Sequence, residues 1–430
     1  MNVSIPNTIS MKKFLFILFV LSIITINAQT LELASPESVG MSSERLERLT
    51  DRFKQYIDEG ALPGTVTLIA RKGKIVYLEA LGESDLAAHK KMKEDAIFRI
   101  ASQTKAIISV GIMMLQEEGK LLIHDPVSNY IPEFKNSTVA VPNDSKEGYE
   151  IVAANREITL RDLLTHTAGI SYGGGAASKL WKEAKIQGWY FAHRDEPIVE
   201  TIKRLAVLPQ EEQPGKRFVY GYNTDILGAV IEIASGMPLD QFIQQKILDP
   251  LEMNDTHFYL PKSKQKRLAT VYNQRNGVLV RAPKSGGMEG QGLYVDGPRK
   301  SFSGGAGLLS TANDYAKFLQ MILNNGVYNN HRLLSRKSVE LMTSNHLDSV
   351  EFPWTGGTGF GLGFSIVTDL GKFAKPSSIG EYGWGGAYHS SYWVNPKEEL
   401  IVVYFTQVIP IANVQDHDTL RALVYQSIID

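Results

Sequence analysis

No cysteine occurs among the 430 residues. That excludes disulfides, thiolate metal sites and a lipobox cysteine for acyl anchoring. Excess charge of either sign is lacking too. Lys and Arg number 45 against 46 Asp and Glu, a net charge of -1, and nothing argues for a nucleic-acid partner. Long apolar runs are confined to the first residues, so no stable membrane anchor is expected beyond them. The zinc-helix pattern H-E-x-x-H is absent. The histidines other than His166 show no metal-ligand spacing, so neither a metal nor a cofactor is expected. Gly173-Gly174-Gly175 and Gly286-Gly287 lack the Gly-Lys-Ser/Thr of a phosphate loop and read as flexible loops.

The opening residues read as an export signal, residues 1–28, with Met11 as the expected start. Lys12 and Lys13 form a basic region, Phe14 to Ile24 an apolar core too short to span a bilayer comfortably, and Ala28 a small residue suited to cleavage. The expected protein is exported, periplasmic or secreted. The remaining length exceeds one ordinary domain.

Ser42 to Tyr56 carries Leu46, Leu49 and Phe53 on one helical face. Gly64 to Ala70 and Lys74 to Leu78 flank Arg71-Lys72-Gly73 as a hairpin. Gly361 to Thr368, Ser390 to Asn395 and Leu400 to Thr406 read as further strands, and Asp418 to Ile428 as a closing helix. Between the ends, helical patterns alternate with Gly- and Pro-rich loops: Arg161 to Thr165, Ile198 to Val207, Asp225 to Ser235, Leu239 to Leu248 and Ala312 to Leu323. Strands at both ends with helices between predict one α/β sheet domain from residues 29–105 and 319–430. A mostly helical domain, 106–318, is inserted.

Three stretches match S-x-x-K: Ser10 to Lys13, Ser102 to Lys105 and Ser263 to Lys266. Only Ser102 heads an apolar run, Ala106 to Leu115. Helical spacing of i and i+3 puts the lysine on the serine's face. A serine is a weak nucleophile until a neighbouring base takes its proton, and apolar surroundings favour an uncharged amine. The plain alternative is a capping serine beside a snorkelling lysine. Tyr220, in a Gly-flanked loop before a helix, offers a phenol that can pass protons, or else a half-buried aromatic. Gly383-Trp384-Gly385-Gly386-Ala387 supplies glycines that allow close approach to a strand edge, with backbone N–H groups for an oxyanion; the plain alternative is a loop.

Taken together and in order, these segments resemble class C serine β-lactamases, the related D-Ala-D-Ala peptidases and especially the β-lactamase-fold carboxylesterases (family VIII esterases). The resemblance rests on Ser102-Gln103-Thr104-Lys105, Leu163 to Ile170, Tyr220 with Thr224 to Gly228, Gly304 to Asp314, and Trp384 to Ala387. It implies a β-lactamase/transpeptidase-like fold, with an antiparallel sheet flanked by helices and the site at the junction with the helical insert. It also implies Ser102 as the acylated nucleophile, Lys105 as its activator and Tyr220 as the proton-transfer tyrosine. The backbone N–H groups of Ser102 and Ala387 would form the oxyanion hole, and His166 would order a loop.

Two departures bear on substrate. The lactamase Y-x-N pattern would place Asn where Tyr222 stands, and Asn223 comes one residue late. Tyr328-Asn329-Asn330 satisfies the pattern but lies at a turn. Tyr222 is left as a rival to Tyr220 and as a substrate-binding candidate. The Lys-Thr-Gly of lactamases and peptidases is matched here by Trp384-Gly385-Gly386, the remaining substrate-binding candidates. An indole there costs an anionic substrate an attraction of roughly a few kcal/mol if desolvated, and costs a neutral ester nothing, although His389 or an arginine elsewhere could replace the charge. The expectation is an ester-cleaving serine hydrolase acting on small molecules. β-Lactam or D-amino-acid peptide cleavage, or a non-catalytic binding protein on the same fold, are the alternatives.

Overall fold

The computed structural model describes residues 31–284 and 287–430, so the expected export segment and Gly286 lie outside the described residues. Helix α1 (Ser43–Asp58) starts where the Ser42 side chain accepts from Arg45 N, a cap worth about 1 kcal/mol, and buries Leu46, Leu49, Phe53 and Tyr56. Strands β1 (Gly64–Arg71) and β2 (Lys74–Asp85) form the expected hairpin. Lys72 and Gly73 take positive φ in its two-residue turn. Helix α2 (Thr104–Glu117) is buried almost all round and packs against α3 (Asn223–Ser235). Helix α4 (Ala312–Leu323) matches its expected span.

The second half of the sheet follows as β3 (Thr358–Phe360), β4 (Ser365–Val367), β5 (Tyr382–Gly386), β6 (Ser390–Asn395) and β7 (Leu400–Phe405). Helix α5 (Asp416–Tyr425) closes the chain. Hydrogen bonding runs β2-β1-β7-β6-β5-β4-β3, antiparallel throughout, and a two-residue strand, Glu32–Leu33, adds to β2 in parallel. The two chain ends thus meet at β1 and β7. Strand β7 shows why the sheet sits in the middle. Leu400, Val402 and Tyr404 face α1 and α5, while Ile401, Val403 and Phe405 face the larger core around α2, α3 and α4.

The structure corrects several readings. Gly361 to Thr368 is not one strand, because the chain turns between β3 and β4 through Gly363 at φ +98°, a conformation that favours glycine. The expected boundary at 318 falls inside α4, which packs on β7 and β1. The middle also holds two hairpins, Thr138–Pro142 with Tyr149–Ala153 and Tyr272–Arg275 with Val278–Arg281.

Candidate active site

Ser102 stands in a single 3-10 turn, Ala101–Gln103, ahead of α2. Ala101 just before it has φ +42°, a left-handed conformation that costs a non-glycine residue on the order of 1 kcal/mol. The surroundings hold that turn from three sides. Tyr315 of α4 donates its hydroxyl to Gln103 O at 2.9 Å, Leu308 N donates to Thr104 Oγ1 at 3.1 Å, and Gln103 Nε2 donates to Ser390 Oγ at 3.0 Å. Ser102 itself stays partly exposed. The competing stretch Ser263 to Lys266 lies in a 3-10 segment with no buried residue.

Lys105 is 1 % exposed. Its Nζ contacts three oxygens: Ser102 Oγ at 3.3 Å, the Tyr172 hydroxyl at 3.1 Å and Gly305 O at 2.8 Å. A carbonyl can only accept, so Gly305 claims one N–H. An uncharged amine would satisfy the other two contacts by donating to Tyr172 and accepting from Ser102. Asp225, fully buried, shapes this corner by accepting from Ser303 Oγ at 2.6 Å and Gly305 N at 3.0 Å. Burial raises its carboxyl pKa, opposed by the Ser303 bond and the nearby Lys105.

Tyr220 lies with its ring centroid 4.6 Å from Lys105 Nζ, and its hydroxyl accepts from Trp384 Nε1 at 3.2 Å. His166 packs 4.6 Å from the Tyr220 ring and meets Asn223 Nδ2 at 2.9 Å. Burial first, then Lys105, pushes the His166 pKa well below its ordinary value, so the ring is neutral and orders the loop. Tyr222 is corrected by the structure. It is fully buried, stacks on Trp181 and donates its hydroxyl to Gly188 O at 2.7 Å, so it belongs to the core and not to a substrate surface.

Strand β5 carries Trp384, Gly385 and Gly386 alongside the nucleophile turn. A Cβ on Gly386 would sit 2.6 Å from Ile100 O, so only glycine lets strand and turn meet. Ala387 follows in the turn between β5 and β6, next to this contact. Trp384 packs within a ring cluster, with Phe360 at 5.1 Å, Trp354 at 5.5 Å and Tyr220 at 5.6 Å between centroids.

Serine, lysine and tyrosine therefore converge beside a strand ending in Trp-Gly-Gly, and residues 49–426 match the family model Beta-lactamase. The chain belongs to the Beta-lactamase family. The family's members are serine hydrolases that include esterase and peptidase relatives. Among curated relatives, Esterase EstB of Burkholderia gladioli is 30 % identical over 380 residues, covering 84 % of this chain and 89 % of that protein. A protein of Escherichia coli O157:H7, provisionally named a D-alanyl-D-alanine carboxypeptidase, is 28 % identical over 379 residues, covering 82 % and 80 %. A solved structure, "EstCE1, a hydrolase with promiscuous acyltransferase activity", superposes with a TM-score of 0.76 at 27 % identity, covering 89 % of this chain and 98 % of that one. The β-lactamase/transpeptidase-like fold expected from sequence is the fold observed, its sheet mixed, among the described residues, only through Glu32–Leu33.

Within this member of the Beta-lactamase family, charge near Trp384 is already spent. Arg421 pairs with Glu381, Lys375 with Asp418, and His389 Nε2 with Asp416 Oδ1 at 2.8 Å. His389, Asp416 and His417 also bring ligand atoms within 4.8 Å of one another, the one metal-like donor set among the described residues. It does not fit a metal well. Asp416 Oδ2 is taken by Tyr404, and the two imidazoles stack at 4.2 Å and 21°, so their in-plane lone pairs do not converge. The sequence reading missed Tyr172, Asp225 as the support for Gly305, and Trp354. Tyr172 follows Leu163 to Ile170 at the head of the Gly173-Gly174-Gly175 loop, which was the available signal.

Proposed function

We propose that this protein is an exported serine hydrolase that cleaves carboxylic esters through an acyl-enzyme at Ser102. Ser102 Oγ attacks the carbonyl carbon while Lys105, in its uncharged form, takes the hydroxyl proton. The backbone N–H groups of Ser102 and Ala387 meet the oxyanion. As the carbon–oxygen bond to the alcohol breaks, Tyr220 hands its proton to the leaving oxygen and regains one from Lys105. Water then attacks the acyl-serine by the reverse route, releasing a carboxylic acid and restoring Ser102. The observation that carries this reading is the position of Lys105 Nζ, in contact with Ser102 Oγ and over the Tyr220 ring.

Esters are favoured over β-lactams and D-amino-acid peptides because Trp384 stands where those substrates need a cation for their carboxylate. Lys375, Arg421 and His389 are each held by an acid and do not replace it. Esterase EstB supports the ester reading by its name alone, EstCE1 by its title supports a hydrolase, and the provisional carboxypeptidase relative supports the rival. Rates on p-nitrophenyl butyrate and on a chromogenic cephalosporin separate the two. The ester is expected to react far faster, and comparable rates would move the assignment to β-lactam or peptide cleavage.

Export rests on the basic and apolar residues Lys12 to Ile24. Among the described residues no single helix is long and apolar enough to cross a membrane. N-terminal sequencing of protein recovered from outside the cytoplasm is expected to begin after Ala28, and an intact Met11 would contradict export by cleavage.

A further inference from the structure

The wall beside Tyr220 extends beyond Trp384 to a residue on a loop. Trp354 lies in the segment between Leu347 and strand β3, which has no helix or strand of its own. Its root is fixed: Leu347 and Phe352 are buried with Phe218 and Phe360. The Trp354 ring lies 5.2 Å from Tyr220 at 74°, 5.5 Å from Trp384 at 36°, and 5.6 Å from Phe352. Yet Trp354 remains 55 % exposed. An indole held by several rings with half its surface in water is a preformed apolar platform that no other described residue covers.

What would cover it follows from the chemistry, and rests on the ester reading above. Tyr220 protonates the leaving oxygen, so that oxygen sits within hydrogen-bond reach of the Tyr220 hydroxyl. The group attached to it then meets the rings around Tyr220, which are Trp384 and Trp354. We propose that Trp354 forms the leaving-group side of the site, and that the preferred esters are those of bulky, uncharged alcohols bearing an aromatic or other flat apolar group. The group rests on the bare Trp354 face itself, since the adjoining cavity of about 290 Å³, though bordered by Phe352, Trp354, Trp384 and Gly385, is walled by Trp393, His417 and Arg421 and by neither Ser102 nor Tyr220. Its cations, Lys375 and Arg421, are paired with Asp418 and Glu381, so an anionic alcohol gains nothing there.

Two matched pairs of esters test this. 2-Phenylethyl butyrate against ethyl butyrate varies the alcohol at similar leaving-group basicity, and ethyl octanoate against ethyl butyrate varies the acyl chain. The ratio of kcat/KM within each pair cancels any general loss of activity in a variant. The wild type is expected to prefer the phenylethyl ester. Trp354→Ala is expected to lower that preference about three- to tenfold, the value of one aromatic contact, while Trp354→Phe keeps most of it and the acyl-chain ratio holds. An alcohol ratio unmoved by Trp354→Ala, or a shift in the acyl-chain ratio instead, overturns the proposal while leaving the ester reading intact. A wild type that cleaves none of these esters and takes no fluorophosphonate at Ser102 overturns the ester reading, and this proposal with it.

Discussion

The indole Nε1 of Trp384 donates to the hydroxyl oxygen of Tyr220 at 3.2 Å. A lysine at that place would bring a donor and a charge together. Trp384 keeps the donor and drops the charge. The bond occupies an acceptor position on the phenol oxygen and leaves the Tyr220 proton free to move elsewhere. Under the proposed mechanism, Trp384 thus orients the proton carrier and offers a carboxylate no charge partner.

Trp384→Phe keeps the apolar wall and removes the donor. A neutral hydrogen bond is worth about 0.5–1.5 kcal/mol net, so kcat on p-nitrophenyl butyrate is expected to fall roughly two- to tenfold with KM little changed. Steady-state kinetics reads this directly, and a rise in KM at constant kcat would assign Trp384 to binding alone.

Lys105→Ala removes the proposed base and strands Gly305 O in the interior. A fall in kcat of about 10²–10⁴ is expected from the lost proton transfer. A lower thermal midpoint is expected as well, because an orphaned buried acceptor costs about 1–3 kcal/mol. Full esterase activity in Lys105→Ala would rule out the activator role.

Tyr220 and Tyr172 both lie against Lys105 but in different ways, with the amine over the Tyr220 ring and bonded to the Tyr172 hydroxyl. Tyr220→Phe is expected to lose about 10²–10⁴ in kcat if it is the proton carrier proposed above. Tyr172→Phe removes one hydrogen bond and is expected to lose about tenfold or less. Burial raises the Tyr172 phenol well above its ordinary pKa, which keeps it a neutral partner of the lysine. The reverse ranking of the two variants would exchange their roles.

Acid should weaken the fold in a window set by buried histidines. Burial lowers His257 and His417 to about 4 and pushes His166 well below its ordinary value. The unfolded chain therefore takes up protons first, from about pH 6.5, and stability present above that pH is lost as it falls toward 4. The buried carboxyls of Asp225 and Asp314 are raised and act the other way. The histidine share is thus read from variants: thermal midpoints of His257→Asn and His417→Asn should fall less steeply between pH 6.5 and 4 than the wild type. Parallel slopes would contradict it.

Regular periodicity made much of this fold readable. Helix α1 and the hairpin β1-β2 follow from a 3.6-residue stripe with a serine cap and from β-rich runs around Lys72-Gly73. Ser102 and Lys105 were legible because residues three apart on a helical turn share a face. Contacts set by distant chain were not. Tyr172 reaches Lys105 across 67 residues, and Tyr222, alike in sequence surroundings to Tyr220, is swung into the core by its bond to Gly188. The hairpin at Asn276-Gly277, with both residues at positive φ, carried a turn signal in its sequence that went unread. Trp354 belongs to a loop without a period, and only its ring contacts reveal it.

The central claim is a nucleophilic serine at position 102. Intact-protein mass spectrometry after treatment with a fluorophosphonate probe tests it most directly. The account predicts one adduct on the wild type, mapped by peptide digestion to Ser102, and none on Ser102→Ala. An unmodified wild type, or the same adduct on Ser102→Ala, would contradict it.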